Sequence, residues 1–262
     1  MPDVDDILKV ETEDRVATLT LNRPGAMNAI NFDMLQALRS QIESIRFDPD
    51  IRVVIITGAG EKAFCAGADL KERATMPEPR VREFIYKIRS LFSDIELLNK
   101  PVIAAVNGFA LGGGTELTLA SDIRIASMSA SMGLTETRLA IIPGAGGTQR
   151  LPRIVGRGKA KELIFTGRRV DAREALDIGL VNKICEPELL MSEAMKMAQM
   201  ICESGPIAIE QAKYAINAGL ETDLNTGLAI ESNAYWITIP TKDRMEGITA
   251  FLEKRKPVYV GK

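Results

Sequence analysis

Two glutamates, Glu116 and Glu136, lie in the most glycine-rich stretch of a 262-residue chain that contains no histidine. Glu116 follows the triple glycine at 112–114, and Glu136 precedes the Gly-Ala-Gly-Gly sequence at 144–147. Histidine is the usual proton-transfer side chain near neutral pH, so carboxylates must perform any acid–base chemistry here. Apolar neighbours of Glu116 favour its burial, which raises a carboxyl pKa toward the range useful for proton transfer. Two ordinary surface carboxylates are the alternative interpretation.

Two loops of small residues could present backbone N–H groups to a ligand. Residues 64–69 and 110–116 each follow an apolar run and lead into a predicted helix. Glycine has no Cβ, so a ligand can approach the backbone, and amides at a helix N-terminus carry partial positive charge. Together the loops could direct two amides at one oxygen atom. For either loop alone, an ordinary tight turn is the alternative.

Other catalytic motifs find no support in the sequence. Residues 58–63 match the G-x-G-x-x-A form of a dinucleotide fingerprint but do not open directly into a helix. Neither a P-loop nor a G-x-S-x-G nucleophile elbow occurs. The cysteines Cys65, Cys185 and Cys202 lack metal-ligand spacing, so we expect free thiols and no metal site. Cys65 is expected to be a small buried residue rather than a nucleophile.

Strand and helix patterns alternate through the first two thirds of the chain. An opening hairpin is expected at 7–11 and 16–21, and residues 64–69 are expected to form a loop. Buried strands are predicted at 53–57, 102–106 and 123–126, and helices at 31–47, 81–98 and 112–120, with Asn31 as an N-cap. Because apolar strands need helices to cover them, this alternation predicts an α/β layered core.

After about residue 187 the sequence becomes helical. Helices are predicted at 191–202, 206–219, 224–237 and 241–255, and no convincing strand follows residues 181–184. These helices carry more apolar surface than they can bury alone, so we expect them to pack against another subunit.

Composition argues against several classes of partner. The chain has 33 Lys and Arg against 35 Asp and Glu, a net charge of -2. Its overall charge therefore does not attract it to nucleic acid or to an anionic membrane. No apolar run is long enough to span a bilayer. The segment 1–6 is acidic where a signal peptide would be basic, so we expect a cytoplasmic protein.

Three segments closely resemble the signature segments of the crotonase, or enoyl-CoA hydratase and isomerase, superfamily: residues 64–70, 108–117 and 139–151. The resemblance covers nearly the whole chain, and residues 161–167 and 238–247 look most like the methylglutaconyl-CoA hydratase branch. It implies an α/β, ClpP-like spiral of repeated ββα units with a C-terminal helical region. Residues 1–190 would form the core with the catalytic site, and 191–262 would form an oligomerisation region of a homotrimer or dimer of trimers.

The resemblance also implies a role for each site residue in adding water to a 2-enoyl thioester of coenzyme A. The amides of Ala68 and Gly113 would hold the thioester carbonyl oxygen. Glu116 would orient and deprotonate the water, Glu136 would deliver a proton to C2, and the amide of Gly144 would help to hold the water. The presence of both glutamates favours a hydratase over a Δ3-Δ2 isomerase, although isomerisation and other crotonase reactions such as thioester hydrolysis remain alternatives.

Coenzyme A, as part of the substrate, is the only coenzyme that the resemblance implies. Its contacts would come from two loops, at Arg23, Ala26, Met27, Ala66, Asp69, Leu70 and Lys71. One relative in the resembled branch binds AU-rich RNA through a lysine-rich helix. The matching helix here, 31–47, carries Arg39 and Arg46 against Asp33 and Glu43, so it lacks a basic stripe and we expect no nucleic-acid binding.

Overall fold

The computed structural model describes residues 7–262, so the acidic segment 1–6, on which the expectation of no signal peptide rests, lies outside the described residues. The opening hairpin is confirmed. Strands β1 (Leu8–Glu13) and β2 (Val16–Leu21) pair antiparallel, with Leu8 opposite Leu21 and Glu13 opposite Val16. Asp14 and Arg15 both have positive φ values and make the tight turn between the strands.

The larger sheet extends this hairpin with parallel strands. Within the described residues its order is β1, β2, β3, β5, β7, β10. The added strands are β3 (Val53–Gly58), β5 (Val102–Val106), β7 (Ile123–Ser127) and β10 (Lys183–Cys185). Every residue of β3 and β5 is buried, as expected of parallel strands covered on both faces. Strand β7 is buried apart from the half-buried Ile123, so all three strands predicted as buried are confirmed.

A second, smaller sheet runs in the order β4, β6, β8, β9. Its strands are β4 (Ala63–Cys65), β6 (Phe109–Leu111), β8 (Ser131–Gly133) and β9 (Val170–Asp171). Each of β4, β6 and β8 follows the preceding strand of the larger sheet, so successive units add one strand to each sheet. This arrangement confirms the repeated ββα architecture. The expectation of a plain loop at 64–69 was wrong at its start, because Phe64 and Cys65 belong to β4.

Helices cover the two sheets and make up the C-terminal region. In the N-terminal two thirds they are α1 (Phe32–Phe47), α2 (Leu70–Ala74), α3 (Glu78–Glu96), α4 (Gly113–Ala120), α5 (Gly147–Val155), α6 (Arg157–Thr166) and α7 (Ala172–Asp177). The C-terminal helices are α8 (Leu190–Cys202), α9 (Pro206–Gly219), α10 (Leu224–Thr238) and α11 (Lys242–Glu253). Asn31 caps α1 as predicted, since its side chain accepts a hydrogen bond from the Met34 amide.

The larger sheet has an apolar core on each face. Helices α1 and α3 bury residues such as Leu38 and Phe92 in the main core, whereas α8 packs Ala194 and Ala198 against the opposite face, over Val53. Helix α8 thus belongs structurally to the sheet. The division of the chain at residue 190 stays a prediction.

Helices α9 to α11 leave large apolar side chains in solvent. Leu220, Trp236, Phe251 and Leu252 are between 64% and 83% exposed. A surface this apolar is typical of an interface with another protein. In the part of the chain that the structure describes, no helix combines the length and apolar character needed to cross a bilayer.

Candidate active site

Glu116 lies in the first turn of α4 and is almost fully buried, with 3% of its surface exposed. Its Oε1 atom accepts hydrogen bonds from the backbone amides of Ala145 and Gly147, each at 2.8 Å. Ala145 lies in the glycine-rich loop before α5, and Gly147 is the first residue of α5. The loop and the start of α5 therefore fix one oxygen of the buried carboxylate with two backbone donors.

Glu136 begins a single 3-10 turn, Glu136–Leu139, which two residues separate from β8. A methyl group placed on Gly112 would lie 3.0 Å from Glu136 Oε1, so this carboxyl lies against the start of α4. Its Oε2 atom is buried and has no hydrogen-bond partner among the described residues. The structure thus brings the second predicted glutamate to the same place as the first, but in a different environment.

The pKa values of the two carboxyls reflect these environments. Burial raises the pKa of Glu116, and the amides of Ala145 and Gly147 and the charge of Arg150 oppose that rise. Burial and then the negative charge of Glu116 raise the pKa of Glu136 to about 7, with Arg73 acting in the opposite direction. Glu116 therefore ionises more readily, and Glu136 tends to keep a proton near neutral pH.

The Ala68 amide lies beside the start of α4. Ile30 hydrogen-bonds both neighbours of Ala68: its N–H donates to the Gly67 carbonyl at 2.8 Å, and its carbonyl accepts from the Asp69 N–H at 2.9 Å. In a trans peptide the carbonyl and the following N–H point in opposite directions. Because the Gly67 carbonyl points at Ile30, the Ala68 N–H points away from it.

The Gly113 amide is the first of α4, and an amide at this position has no carbonyl partner within its own helix. The two predicted loops meet here. A methyl group placed on Gly113 would lie 3.6 Å from the Ala68 nitrogen, and one placed on Gly67 would lie 3.0 Å from the Gly113 nitrogen. Two backbone donors are thus close together, as the sequence of the two loops predicts.

The loops predicted to contact coenzyme A also adjoin each other. Arg23 forms an ion pair with Asp69, with Nη2 and Oδ2 2.9 Å apart, and the Ala66 amide donates to the Met27 carbonyl at 3.0 Å. Asp69 caps α2, which begins with the exposed residues Leu70 and Lys71. Ala26 lies in the short 3-10 turn Pro24–Ala26. Contact of these seven residues with coenzyme A stays a prediction.

Two further expectations concern individual residues. Cys65 is fully buried, and burial raises the pKa of its thiol to about 12, which confirms it as a packed rather than a nucleophilic cysteine. The cations of α1 are engaged with carboxylates: Arg39 pairs with Asp94, and Arg46 with Glu43. This observation supports the expectation that α1 presents no basic stripe.

Sequence reasoning missed the residues that hold Glu116. The amides on Glu116 belong to Ala145 and Gly147, whereas the predicted water-binding amide, that of Gly144, lies one residue earlier and its role stays a prediction. Arg150, which donates to the Ala145 carbonyl, was not singled out. The glycine cluster pointed to this loop, but the sequence contains no signal for which amide turns inward.

A sizeable cavity lies away from the two glutamates. A cavity of about 1040 Å³ lies between the end of α3, helix α5 and helices α9 and α10, and its lining residues include Leu119 and Tyr214 but neither glutamate. The paired carboxyls and the two neighbouring amides are the chemically informative features instead. Among residues 7–262, no group of three or more Cys, Asp and Glu side chains is placed to hold a metal ion.

Comparison with known proteins agrees with this arrangement. The family model for enoyl-CoA hydratase/isomerase matches residues 11–262. A putative enoyl-CoA hydratase/isomerase of Bacillus subtilis is 58% identical over 98% of this chain and 99% of its own length. The mitochondrial methylglutaconyl-CoA hydratase of Homo sapiens is 48% identical over 96% of this chain and 76% of its own length. The crystal structure of an enoyl-CoA hydratase from Bacillus anthracis matches with a TM-score of 0.97 and 53% identity, covering 98% of this chain and 100% of that one.

The chain therefore belongs to the enoyl-CoA hydratase/isomerase family, within the crotonase superfamily. It is an enzyme of the enoyl-CoA hydratase class, for which an acyl-CoA thioester is the fitting substrate. The resemblance of the three sequence segments and the expected α/β fold with C-terminal helices are both confirmed.

Proposed function

We propose that this enzyme adds water across the 2,3 double bond of an acyl-CoA thioester, with Glu116 as the base and Glu136 as the acid. One observation carries the proposal: two carboxyls in contrasting environments lie beside a pair of neighbouring backbone amides. Hydration needs a group that takes a proton from water and a group that gives one to carbon. The two environments suit these opposite tasks.

The Ala68 and Gly113 amides would bind the thioester carbonyl oxygen, where negative charge develops as an enolate forms. Donors fixed in the backbone need no reorganisation during the reaction, and losing one such donor typically costs about 100-fold to 1000-fold in rate. As the water oxygen bonds to C3, Glu116 would take one of its protons. Glu136 would then give its proton to C2 as the enolate collapses, with the Gly144 amide helping to hold the water.

This mechanism uses the two carboxyls for different steps, which favours hydration over isomerisation. A Δ3-Δ2 isomerase moves one proton between two carbons and adds no water, so a single carboxyl would suffice. Hydration is redox-neutral and its proton transfers fall within the capacity of carboxyl groups. We therefore propose no cofactor other than the coenzyme A of the substrate.

The Glu116→Gln variant tests the assignment. Glutamine keeps the size of the side chain but cannot accept a proton, so the hydration of crotonyl-CoA should fall at least about 100-fold. The loss of absorbance of the conjugated double bond measures the rate. Glu43→Gln, at a largely exposed carboxylate with 67% side-chain exposure, is the matched control. Near-normal hydration by Glu116→Gln would overturn the proposed function.

The same variant separates hydratase from isomerase activity. Incubation with a 3-enoyl-CoA shows whether the enzyme moves the double bond without adding water. If Glu116 serves only hydration, Glu116→Gln should retain any isomerase activity that depends on Glu136. If the unmodified enzyme isomerises a 3-enoyl-CoA but does not hydrate crotonyl-CoA, isomerisation is the main activity and our proposal is wrong.

Arg73 favours 3-methylglutaconyl-CoA as a second candidate substrate. Its side chain is half-buried on α2, forms no ion pair with a described residue, and has a positive charge that acts on Glu136. The acyl group of 3-methylglutaconyl-CoA ends in a carboxylate, which an uncommitted guanidinium beside the acyl site could bind. The similarity to the human methylglutaconyl-CoA hydratase supports the same candidate.

Arg73→Met distinguishes this substrate from crotonyl-CoA. If Arg73 binds the distal carboxylate, the variant should lose kcat/KM for 3-methylglutaconyl-CoA by about 10-fold or more, as expected for one charge-assisted hydrogen bond. Its kcat/KM for crotonyl-CoA should change much less. Arg82→Met, at an exposed arginine paired with Glu78, is the control. Equal losses for both substrates would argue against a role of Arg73 in acyl recognition.

We further propose that the exposed apolar side chains of α9 to α11 are covered by neighbouring copies in a homotrimer or a dimer of trimers. Trp236 and Phe251, 64% and 83% exposed, represent this surface. Light scattering coupled to size exclusion should give a mass of about three or six chains, each of 28.6 kDa. A monomeric mass at micromolar concentration would contradict it. The cytoplasmic location stays a prediction.

A further inference from the structure

Arg150 connects three elements behind the active site. It lies on α5 with only 12% of its side chain exposed. One guanidinium nitrogen, Nη1, donates to the Ala145 carbonyl at 3.0 Å. The other, Nη2, donates to Glu96 Oε2 on α3 at 2.6 Å and lies 3.4 Å from Ser93 Oγ. The guanidinium thus links α3 to the glycine-rich loop.

The loop is shaped to receive this guanidinium. Gly146 has a φ of +112°, which L side chains rarely adopt, and a methyl group placed on it would lie 2.0 Å from Arg150 Nη1. Meanwhile Arg150 Nε is buried without a hydrogen-bond partner among the described residues. An unpaired buried donor is costly, so the arginine is not explained by local hydrogen bonding alone.

Arg150 and Glu116 both hydrogen-bond the same residue, Ala145. The Ala145 carbonyl accepts from Arg150, while the Ala145 amide donates to Glu116 Oε1, as does the Gly147 amide. A displacement of this loop would move both donors together. Small displacements of a catalytic group can cost about 100-fold in rate.

We propose that Arg150, anchored by Glu96, is a positioning residue that holds the 145–147 loop so that its two amides fix the Glu116 carboxylate. This proposal rests on the proposed role of Glu116 as the base. In this role Arg150 acts through the loop rather than on the substrate. It therefore affects the chemical step more than substrate binding.

The charges around the pair predict a pH effect as well. Glu136 faces Glu116 from the turn after β8, Arg150 faces it from α5, and Arg73 of α2 acts on Glu136. Arg150 and the two amides favour the ionised form of Glu116. Loss of Arg150 should raise the pKa of Glu116 further. The acidic limb of the profile of kcat/KM against pH should then move to higher pH, because the base must be ionised to act.

The experiment compares Arg150→Met and Arg150→Lys with the control Arg153→Met. Arg153 lies on the same helix but is exposed and paired with Glu221. We expect Arg150→Met to lower kcat for crotonyl-CoA by about 10-fold to 100-fold, with a much smaller change in KM. The acidic limb of its profile of kcat/KM against pH should move to higher pH. Arg150→Lys should return the acidic limb of the pH profile toward that of the unmodified enzyme but recover only part of kcat. Arg153→Met should leave both kcat and the pH profile unchanged.

Glu96→Gln keeps the test valid if Arg150→Met does not fold. This variant retains Arg150 but weakens its ion pair with residue 96. It should lower kcat and move the acidic limb to higher pH, each by less than Arg150→Met does. An unchanged kcat and pH profile in folded Arg150→Met, or in Glu96→Gln if Arg150→Met fails to fold, would overturn the positioning role. The proposed function would fail separately, through near-normal hydration by Glu116→Gln.

Discussion

The raised pKa of Glu136 predicts that its replacement by glutamine stabilises the protein above neutral pH. Burial and the charge of Glu116 raise the pKa of this carboxyl to about 7, from an ordinary value of 4.5. The folded protein therefore binds this proton more tightly than the unfolded chain does. Between these two pKa values the folded state holds more protons, so its stability falls as the pH rises. Below the unfolded-state pKa of 4.5 the carboxyl is protonated in both the folded and the unfolded state, so its ionisation no longer destabilises the folded protein.

The size of the effect follows from the shift. Each unit of pKa corresponds to about 1.4 kcal/mol, so an ionised Glu136 costs the folded state on the order of 3 kcal/mol. Glu136→Gln removes this cost. At about pH 8 the variant should be more stable by on the order of 3 kcal/mol, and at about pH 5 by less than about 1 kcal/mol. For a chain of this length, the gain at the higher pH corresponds to a Tm increase of about 5–10 °C.

Thermal unfolding at both pH values tests this prediction, at one protein concentration because assembly also affects Tm. Glu43→Gln, at a largely exposed carboxylate, is the control and should not change Tm by more than about 1–2 °C. Hydration of crotonyl-CoA by Glu136→Gln should fall by at least about 100-fold, because glutamine cannot deliver the proton. An equal or lower Tm for Glu136→Gln than for the unmodified enzyme at the higher pH would refute the reasoning.

Two further predictions concern the packing where the loops at 64–69 and 110–116 meet. A methyl group on Gly114 would lie 2.0 Å from the Cys65 carbonyl oxygen, so Gly114→Ala should abolish the folded enzyme. A methyl group on Gly158 would meet no neighbouring atom within 4 Å, so Gly158→Ala is the control and should fold. Circular dichroism and Tm measure the folding of both variants. The buried thiol of Cys65, with its pKa raised to about 12, should resist iodoacetamide in the native protein, while the less buried Cys185 and Cys202 react first. Modification of Cys65 before the other two, read by peptide mass spectrometry, would contradict its burial.

The elements with a clear repeating pattern could be predicted from the sequence. Helix α1 combines an N-cap at Asn31 with apolar residues at helical spacing, and β3 is a continuous apolar run. Both signals are local, and both elements formed as predicted. The two glutamates were also identifiable, because glycine clusters and the absence of histidine drew attention to them.

The short strands and the orientation of the amides could not be predicted in this way. Strands β4, β6 and β8 have three residues each, too few for alternation to show, and they form because neighbouring repeats supply their partners. The direction of the Ala68 amide depends on a bridge to Ile30, 38 residues earlier in the sequence. The contact of Arg150 with Glu96 likewise joins residues 54 positions apart. Tertiary structure sets these features, so local sequence carries no signal for them.

The division of labour between two identical side chains follows from these nonlocal contacts. Burial alone would raise the pKa of both carboxyls and leave neither suited to act as the base. The 145–147 loop changes this balance for Glu116 by donating two amides to one oxygen, with Arg150 adding a positive charge. Once Glu116 is ionised, its own charge helps Glu136 to retain a proton. A chain without histidine can therefore place a base and an acid side by side, because backbone donors distinguish one glutamate from the other.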